Sequence, residues 1–181
     1  MGYQILSFLL DVATGLLGGA CLLRLYMQRQ RVPFGNPIGR FVFALTDWIV
    51  LPLRKVLPAA GRWDTASAVA AFLFELAQYA ILWTLFGGGA GWPVVFVMAL
   101  YGLLRLVLSA LTALVIVYAI LSWVQSDSIL TDVVDRLCAP LLRPFRRVIP
   151  LVGGIDLSPL ALLVLLQVLT MVLAALFRPV L

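Results

Sequence analysis

The amino-acid sequence predicts an all-α, polytopic helical membrane protein with about four transmembrane helices. Apolar residues make up 64% of the 181 positions and charged residues only 12%, with a mean hydropathy of +1.10. Four apolar stretches approach the roughly 20 residues that a helix needs to cross a hydrocarbon core of about 30 Å. The apolar run at positions 162–166 does not alternate with polar residues, which argues against a transmembrane β-barrel.

The four predicted spans cover residues 5–25, 66–86, 102–123 and 159–177. The first span could be mistaken for a secretion signal, but it has no basic residue before Arg24 and carries Asp11 within the apolar run. A cleaved signal has a basic start, so we interpret this stretch as a retained span. Residues 92–101 are ambiguous, because they either lie in the outer interface or extend the third span to about 30 residues.

The thirteen basic residues indicate how the spans are oriented. Most of them border or fill the two long loops, between spans one and two and between spans three and four, whereas the connection at 87–93 has none. Cytoplasmic loops carry the excess of Lys and Arg, so we expect both long loops to be cytoplasmic and both termini to lie outside. The net charge of +5 therefore reflects topology, and we expect no nucleic-acid binding.

The chain contains two copies of one unit. The segment TDWIVLP at 46–52 shares its Asp and Pro with VDRLCAP at 134–140, and RKVLP at 54–58 matches RRVIP at 146–150. Because each copy holds two spans, the copies insert in the same direction, unlike the inverted repeats of many transporters. We therefore predict one membrane domain with two parallel repeats, each composed of two spans and a cytoplasmic loop. The repeats cover residues 1–86 and 92–181.

Each cytoplasmic loop begins with an amphipathic segment of helical periodicity. The apolar face of the second segment is formed by Ile129, Leu130, Val133, Val134, Leu137, Cys138 and Leu141. The matching positions of the first segment are Phe41, Val42, Leu45, Ile49, Val50 and Leu53. Segments of roughly 13 residues are too short to span a bilayer. Two interpretations stay open: these helices lie in the membrane interface, or they pack on the cytoplasmic ends of the spans.

The second loop carries the sequence LLRPFRRVIP at 141–150, followed by GGIDLSP at 153–159. On these motifs the chain resembles the YggT family of small membrane proteins, and the first copy keeps a diverged form of the same pattern. The two-copy form is similar to proteobacterial members. The resemblance implies a bacterial inner-membrane protein, associated with osmotic tolerance, cell-envelope organisation or assembly of membrane complexes. In such a membrane, the basic loops predict that both termini are periplasmic. It implies no catalytic residues.

The basic motifs suggest a binding surface at the level of the lipid headgroups. Its residues are Arg54, Lys55 and Arg62 in the first copy and Arg143, Arg146 and Arg147 in the second. Each basic residue near an anionic surface contributes about 1 kcal/mol, and Arg can hold a phosphate with two hydrogen bonds. We expect Pro144 and Pro150 to hold the backbone open around these residues. The alternative is that the cations only fix the topology.

Polar residues within the apolar spans are the second set of candidates. Glu75 lies about 13 Å into the second span, near the midplane, and Gln167 is its counterpart in the second copy. An ionised carboxylate at this depth is costly, so we expect Glu75 to be protonated, paired or next to a wet cavity. Asp11 and Arg105 lie at similar depths and could pair. Ser7, Asp11, Gly15 and Gly19 share one face of the first span, which suits close helix packing.

The start of the fourth span carries the signature of a helix N-terminus. Ser158 is expected to cap the helix, Pro159 to occupy its first position, and Asp156 to favour the positive end of its dipole. Asp64 repeats this arrangement at the second span. We interpret these residues as structural.

No residue pattern supports an enzyme, a metal site or a cofactor. The chain has no His, and Cys21 and Cys138 lack ligand or redox spacing. The leading hypothesis is a non-enzymatic scaffold or assembly factor whose basic loops bind anionic phospholipid or a membrane protein partner. The alternative is a small ion channel or transporter that uses Glu75 and Gln167, for which a homo-oligomer would be required.

Overall fold

The computed structural model describes residues 1–57, 61, 63–86, 91–124, 128–149 and 156–177, with the backbone alone at 123 and 124. These residues form six α-helices and no β-strand, which confirms the predicted class. The helices are α1 (Gly2–Arg29), α2 (Pro37–Val56), α3 (Thr65–Phe86), α4 (Trp92–Val124), α5 (Ile129–Arg146) and α6 (Ser158–Phe177).

Four of the helices are long and apolar enough to cross a membrane. They are α1, α3, α6 and the segment Trp92–Ser122 of α4. Between 6% and 22% of the residues in the most apolar window of each helix are buried within the chain, so most of the apolar surface points outward. A water-soluble domain does not expose contiguous apolar surface on this scale, whereas lipid solvates it. The four predicted spans are confirmed.

Residues 92–101 belong to α4, which continues without a break from Trp92 to Val124. Of the two alternatives, the extension of the third span is therefore confirmed. A helix of 33 residues is about 50 Å long, longer than the hydrocarbon core of about 30 Å. It must tilt or project beyond the core.

The two amphipathic segments are helices with defined N-caps. The Asn36 side chain accepts a hydrogen bond from the Gly39 backbone N–H at 2.8 Å, and the Ser128 hydroxyl accepts one from Thr131 N–H at 3.2 Å. Both helices are longer than predicted because they continue through internal prolines. The expectation that Pro144 holds the backbone open is wrong, since Pro144 lies within α5; Pro150 is outside the described residues.

Both amphipathic helices pack on the spans at one end of the bundle, which we call the loop end. There, Cys138 and Leu142 of α5 pack with Val115 of α4 and with Leu162 and Leu166 of α6. The loop end also contains the C-terminal turns of α1 and α4 and the N-terminal turns of α3 and α6. The buried face of each short helix thus covers span ends, which favours the second interpretation.

The helix α2 packs at the same end through most of its predicted apolar face. Val42, Thr46 and Val50 are buried, and Val50 joins a cluster with residues of α1 and α3. Phe41, predicted on the buried face, is 57% exposed, and Trp48 is 61% exposed. The prediction for Phe41 is wrong because the axis of the buried face passes through Thr46, whose hydroxyl has a polar partner on α1.

Candidate functional site

A buried arginine organises the loop end of the first copy. Arg24, at the end of α1, is only 2% exposed. Its Nη1 donates hydrogen bonds of 2.7 Å to Thr46 Oγ1 and to Asp47 Oδ1 on α2, and its guanidinium lies over the Phe43 ring, 4.6 Å from the centroid. From the sequence alone Arg24 indicates only the topology. Its partners Thr46 and Asp47 lie on another helix, so the sequence analysis does not identify this cluster.

Asp64, directly before α3, completes this cluster. It is fully buried and accepts hydrogen bonds from Arg54 Nη2 at 2.5 Å and from the Ser67 hydroxyl at 2.7 Å. Burial acts to raise the pKa of Asp64, but the hydrogen bonds from Arg54 and Ser67 outweigh it and hold the pKa below its usual range. Arg24 Nε lies 3.7 Å from Asp64 Oδ2. Two arginines and two aspartates therefore form a cluster without net charge.

The second copy repeats part of this arrangement at its equivalent residues. Arg146 Nε donates to Asp156 Oδ2 at 2.8 Å, and Arg146 Nη2 donates to the Tyr118 hydroxyl. Burial acts to raise the pKa of Asp156, but hydrogen bonds from Ser158 and Arg146 lower it below its usual range. This ion pair is more exposed than that of Asp64, with side chains 42% and 25% accessible. The same motif therefore has two different environments.

The predicted start of the last span is the start of α6, but a different side chain caps the helix. The helix α6 begins at Ser158, followed by Pro159, and the Ser158 backbone N–H donates to Asp156 Oδ1 at 2.9 Å. The capping side chain is thus Asp156 and not Ser158, so this detail of the prediction is wrong. The Ser158 hydroxyl is buried and has no hydrogen-bond partner among the described residues. An Asp two positions before the helix reaches its first N–H groups more easily than a Ser within the helix.

The six predicted headgroup cations divide into two groups. Arg54 and Arg146 are bound to aspartates within the chain. Lys55, Arg143 and Arg147 are exposed, and none forms an ion pair with a residue that the structure describes. The sixth, Arg62, lies outside the described residues. The exposed cations of the two copies lie at the C-terminal ends of α2 and α5.

The predicted pair within the spans is confirmed. Arg105 Nη2 on α4 lies 3.3 Å from Asp11 Oδ1 on α1, and Gln78 Nε2 on α3 donates to the same oxygen at 2.6 Å. Three spans are therefore joined by one carboxylate. The side chains of Arg105 and Asp11 are nearly half exposed on the outer surface of the bundle.

Glu75 and Gln167 lie in different surroundings. Glu75 is buried against α4 at Gly102, where a Cβ atom would collide with the Glu75 carboxylate and approach the Tyr79 ring to 2.8 Å. Gln167 is exposed on α6. The structure does not bring these two side chains together. Next to Glu75 on the same helix, Gln78 Oε1 is buried and has no partner among the described residues.

The glycine face of α1 does not pack as expected. A Cβ atom added at Gly15 or Gly19 would meet nothing within 4 Å, whereas one at Gly18 would lie 2.8 Å from Leu106 of α4. Gly18 is thus the glycine that allows close approach, and the predicted packing through Gly15 and Gly19 is wrong.

The remaining candidates for chemistry are two cysteines, both free and buried. Burial raises the pKa of Cys138 to about 12, so its reactive thiolate is scarce at neutral pH. Within the described residues, no group of three or more His, Cys, Asp or Glu side chains is arranged to hold a metal ion.

Comparison with known proteins identifies related sequences over most of the chain. The family model described as CCB3/YggT matches residues 3–85 and 97–177. The chain is 37% identical over 167 residues to the uncharacterised protein YggT of Escherichia coli K12, covering 92% of this chain and 87% of that protein. It is 33% identical over 167 residues to an uncharacterised protein from the proC 3' region of Vibrio alginolyticus, covering 90% and 89%. No solved structure matches.

Proposed function

This chain belongs to the CCB3/YggT family, and we propose that it works as a non-enzymatic membrane scaffold or assembly factor that binds acidic groups at the loop end. The acidic groups are anionic lipid headgroups or acidic side chains of a protein partner. The observation that carries the proposal is that the cations of the repeated basic motif have two different roles in this chain. Arg54 and Arg146 are bound to aspartates within the fold, whereas Lys55, Arg143 and Arg147 are exposed.

The free cations supply enough energy for a useful interaction. At about 1 kcal/mol for each basic residue near an anionic surface, three contribute about 3 kcal/mol, or roughly 100-fold in affinity. The internal pairs add a second advantage, because they fix the ends of α2 and α5 and thereby the positions of the exposed cations. A preorganised surface loses less conformational entropy on binding.

The exposed aromatic residues of α2 agree with a headgroup-level position. Phe41 and Trp48 are exposed, although the Trp48 ring also meets the Phe74 ring of α3 edge-on, with centroids 6.0 Å apart. The indole Nε1 of Trp48 donates a hydrogen bond to the Leu45 carbonyl at 2.8 Å. Aromatic side chains with a polar edge are enriched at the membrane interface. The proposal puts the loop end on the cytoplasmic side of the bacterial inner membrane and both termini in the periplasm, because both long loops carry basic residues.

The test compares two variants with two substitutions each. Replacing Arg143 and Arg147 together with Gln should weaken binding to vesicles that contain phosphatidylglycerol, or capture of a crosslinked partner, by roughly 30-fold. Arg146→Gln combined with Asp156→Asn removes the internal ion pair without changing the net charge or the exposed cations, so binding should fall by much less. Membrane insertion, followed by fractionation, should be unchanged in both.

Two results would contradict the proposal. Unchanged lipid binding and unchanged partner capture in the Arg143 and Arg147 double variant would remove its basis. An equal loss in the variant that carries Arg146→Gln and Asp156→Asn would show that the exposed cations are not what the surface binds with. A photoreactive residue at position 143 distinguishes a lipid adduct from a protein adduct by mass.

A second candidate function is an ion channel or transporter that uses Glu75 and Gln167. Its support is the burial of Glu75 beside Gln78, whose Oε1 has no partner among the described residues. Because Gln167 faces outward, a path past both side chains would require an oligomer. Reconstituted protein should then show proton, Na⁺ or K⁺ flux that Glu75→Gln abolishes. Equal flux in the variant and the unchanged protein, or none in either, counts against it.

A further inference from the structure

An open groove runs between α1 and α4 on the membrane-facing surface. Its volume is about 1130 Å³. On α1 it extends from Gly15 and Gly19 to Tyr26 and Arg29, and α5 bounds it at the loop end with Leu137. The α1 part covers the fifteen residues 15–29, about 22 Å of helix. This is somewhat longer than the hydrocarbon depth of one leaflet, about 15 Å.

Small residues on both walls keep the groove open. Gly15 and Gly19 on α1 leave free space where a Cβ would lie, and Ser109, Ala110 and Ala113 line the opposite wall on α4. Most of the remaining lining is aliphatic. An apolar slot of this kind within the span region accepts hydrocarbon and offers nothing to a polar ligand.

The loop end of the groove carries a cation. Arg29 lines it, with its guanidinium 5.4 Å from the centre of the Trp63 ring, and it forms no ion pair with a residue that the structure describes. Gln30 and the Tyr26 ring lie beside it. Arg and Trp are the residues that anchor proteins at the headgroup level of a membrane. The groove is therefore apolar along its length and positive at its interfacial end.

We propose that this groove binds one anionic phospholipid, with an acyl chain between α1 and α4 and the phosphate at Arg29. The charge and the length match a lipid of the leaflet next to the loop end. A transmembrane helix from a second copy fits less well, because it must cross the whole core of about 30 Å. At the loop end α5 blocks its way, held there by the bond from the Tyr26 hydroxyl to the Leu137 carbonyl at 2.8 Å.

The site is distinct from the surface of the proposed function. None of the exposed cations Lys55, Arg143 and Arg147 lines the groove. The two sites can therefore fail or succeed independently. Replacing Arg143 and Arg147 with Gln should leave the lipid in the groove unchanged.

The experiment measures phosphatidylglycerol bound to full-length protein, by native mass spectrometry, after exposure to mixed vesicles of phosphatidylglycerol and phosphatidylethanolamine. Gly19→Leu should fill the groove, and Ala13→Leu, on the exposed side of α1 outside the groove, is its matched control. Arg29→Gln removes the cation, and Arg40→Gln, at an exposed site outside the groove, is the charge control. Arg29→Gln should lose about fivefold in bound phosphatidylglycerol, since one basic residue near an anionic headgroup contributes about 1 kcal/mol. Gly19→Leu should lose at least as much because its side chain occupies the space of the acyl chain, while both controls keep the lipid.

Three results would overturn this inference. Lipid retention that is the same in Gly19→Leu and Ala13→Leu would show that the groove is not occupied by lipid. Loss of a dimer in Gly19→Leu with lipid retention unchanged would identify a second copy as the occupant. Equal retention of phosphatidylethanolamine and phosphatidylglycerol in the unchanged protein would show that Arg29 does not select the net negative charge of the headgroup. Arg29→Gln keeps the groove's shape, so it remains informative if Gly19→Leu fails to fold.

Discussion

Replacing Asp64 with Asn removes one negative charge from the centre of the loop-end cluster while keeping the size of the side chain. Asp64 has no exposed surface and lies against two arginines, Arg54 at 2.5 Å and Arg24 at 3.7 Å. Without the carboxylate, Arg24 keeps Asp47 and Thr46 as partners, but the cluster gains a net positive charge in a buried environment. The variant should therefore destabilise the attachment of α2 to α1 and α3.

The expected loss of stability depends on how deeply the ion pair is buried. Removing one partner of a buried ion pair costs about 3 to 5 kcal/mol. Because Arg54 is about one third exposed and water can solvate it, we expect the lower end, about 3 kcal/mol. The equivalent change Asp156→Asn affects an exposed pair, worth about 0 to 1 kcal/mol, and Asn can still cap α6.

Thermal unfolding in one detergent, followed by tryptophan fluorescence and circular dichroism, measures the difference. With about 2 to 4 °C per kcal/mol for a chain of this length, Asp64→Asn should unfold roughly 4 to 12 °C below Asp156→Asn. Equal midpoints for the two variants would refute the reasoning, because the motif spacing is the same and only burial differs. A second check is Arg54→Gln combined with Asp64→Asn, which restores charge balance and should recover part of the loss.

Three further outcomes are expected. Gly102→Ala should destabilise the protein by about 1 to 3 kcal/mol, because the new Cβ collides with the Glu75 carboxylate. Gly15→Ala, where a Cβ meets nothing, should be neutral or stabilising by up to about 1 kcal/mol. The midpoints of thermal unfolding of the two variants measure the difference. Because the pKa of Asp64 is lower in the folded protein than its unfolded pKa of about 3.9, its carboxylate contributes stability above that pH. This contribution is lost as the pH falls through the folded pKa. Acid should therefore lower the thermal unfolding midpoint of the unchanged protein more than that of Asp64→Asn. In a variant that lacks Cys21, Cys138 should react with a maleimide at pH 8 only after unfolding, because burial raises its pKa to about 12. Rapid labelling of the folded protein would contradict this burial.

The positions of the helices could be predicted from the sequence. Lipid contributes no hydrogen bonds, so each crossing must be a continuous apolar helix of defined minimum length, and that requirement is visible in one dimension. The residues at which the helices end could not be predicted as well. The amphipathic helix α5 continues through Pro140 and Pro144 because its buried face has partners on α4 and α6, and tertiary packing outweighs a local breaker.

The face that each helix presents was only partly predictable. On α5 the periodicity placed Val134 and Cys138 correctly in the core. On α2 it placed Val42 and Val50 correctly in the core. It also placed Phe41 on that face, whereas the buried Arg24 needs Thr46 opposite it and Phe41 is exposed. The partner of a polar group on another helix has no signature in local sequence.

By itself the sequence determined the membrane class, the four spans and the two amphipathic helices, and it suggested the pairing of Asp11 with Arg105, because hydropathy, periodicity and charge within lipid each constrain the chain locally. Only the tertiary structure decided which cations are engaged and which are free. Arg54 and Lys55 are neighbours in the sequence, yet one is held by Asp64 and the other is exposed. Asp64 and Asp156 occupy equivalent positions, yet only the first is fully buried. The energy of a charge depends on its distance to partners and on its access to water, and both are set when the helices pack.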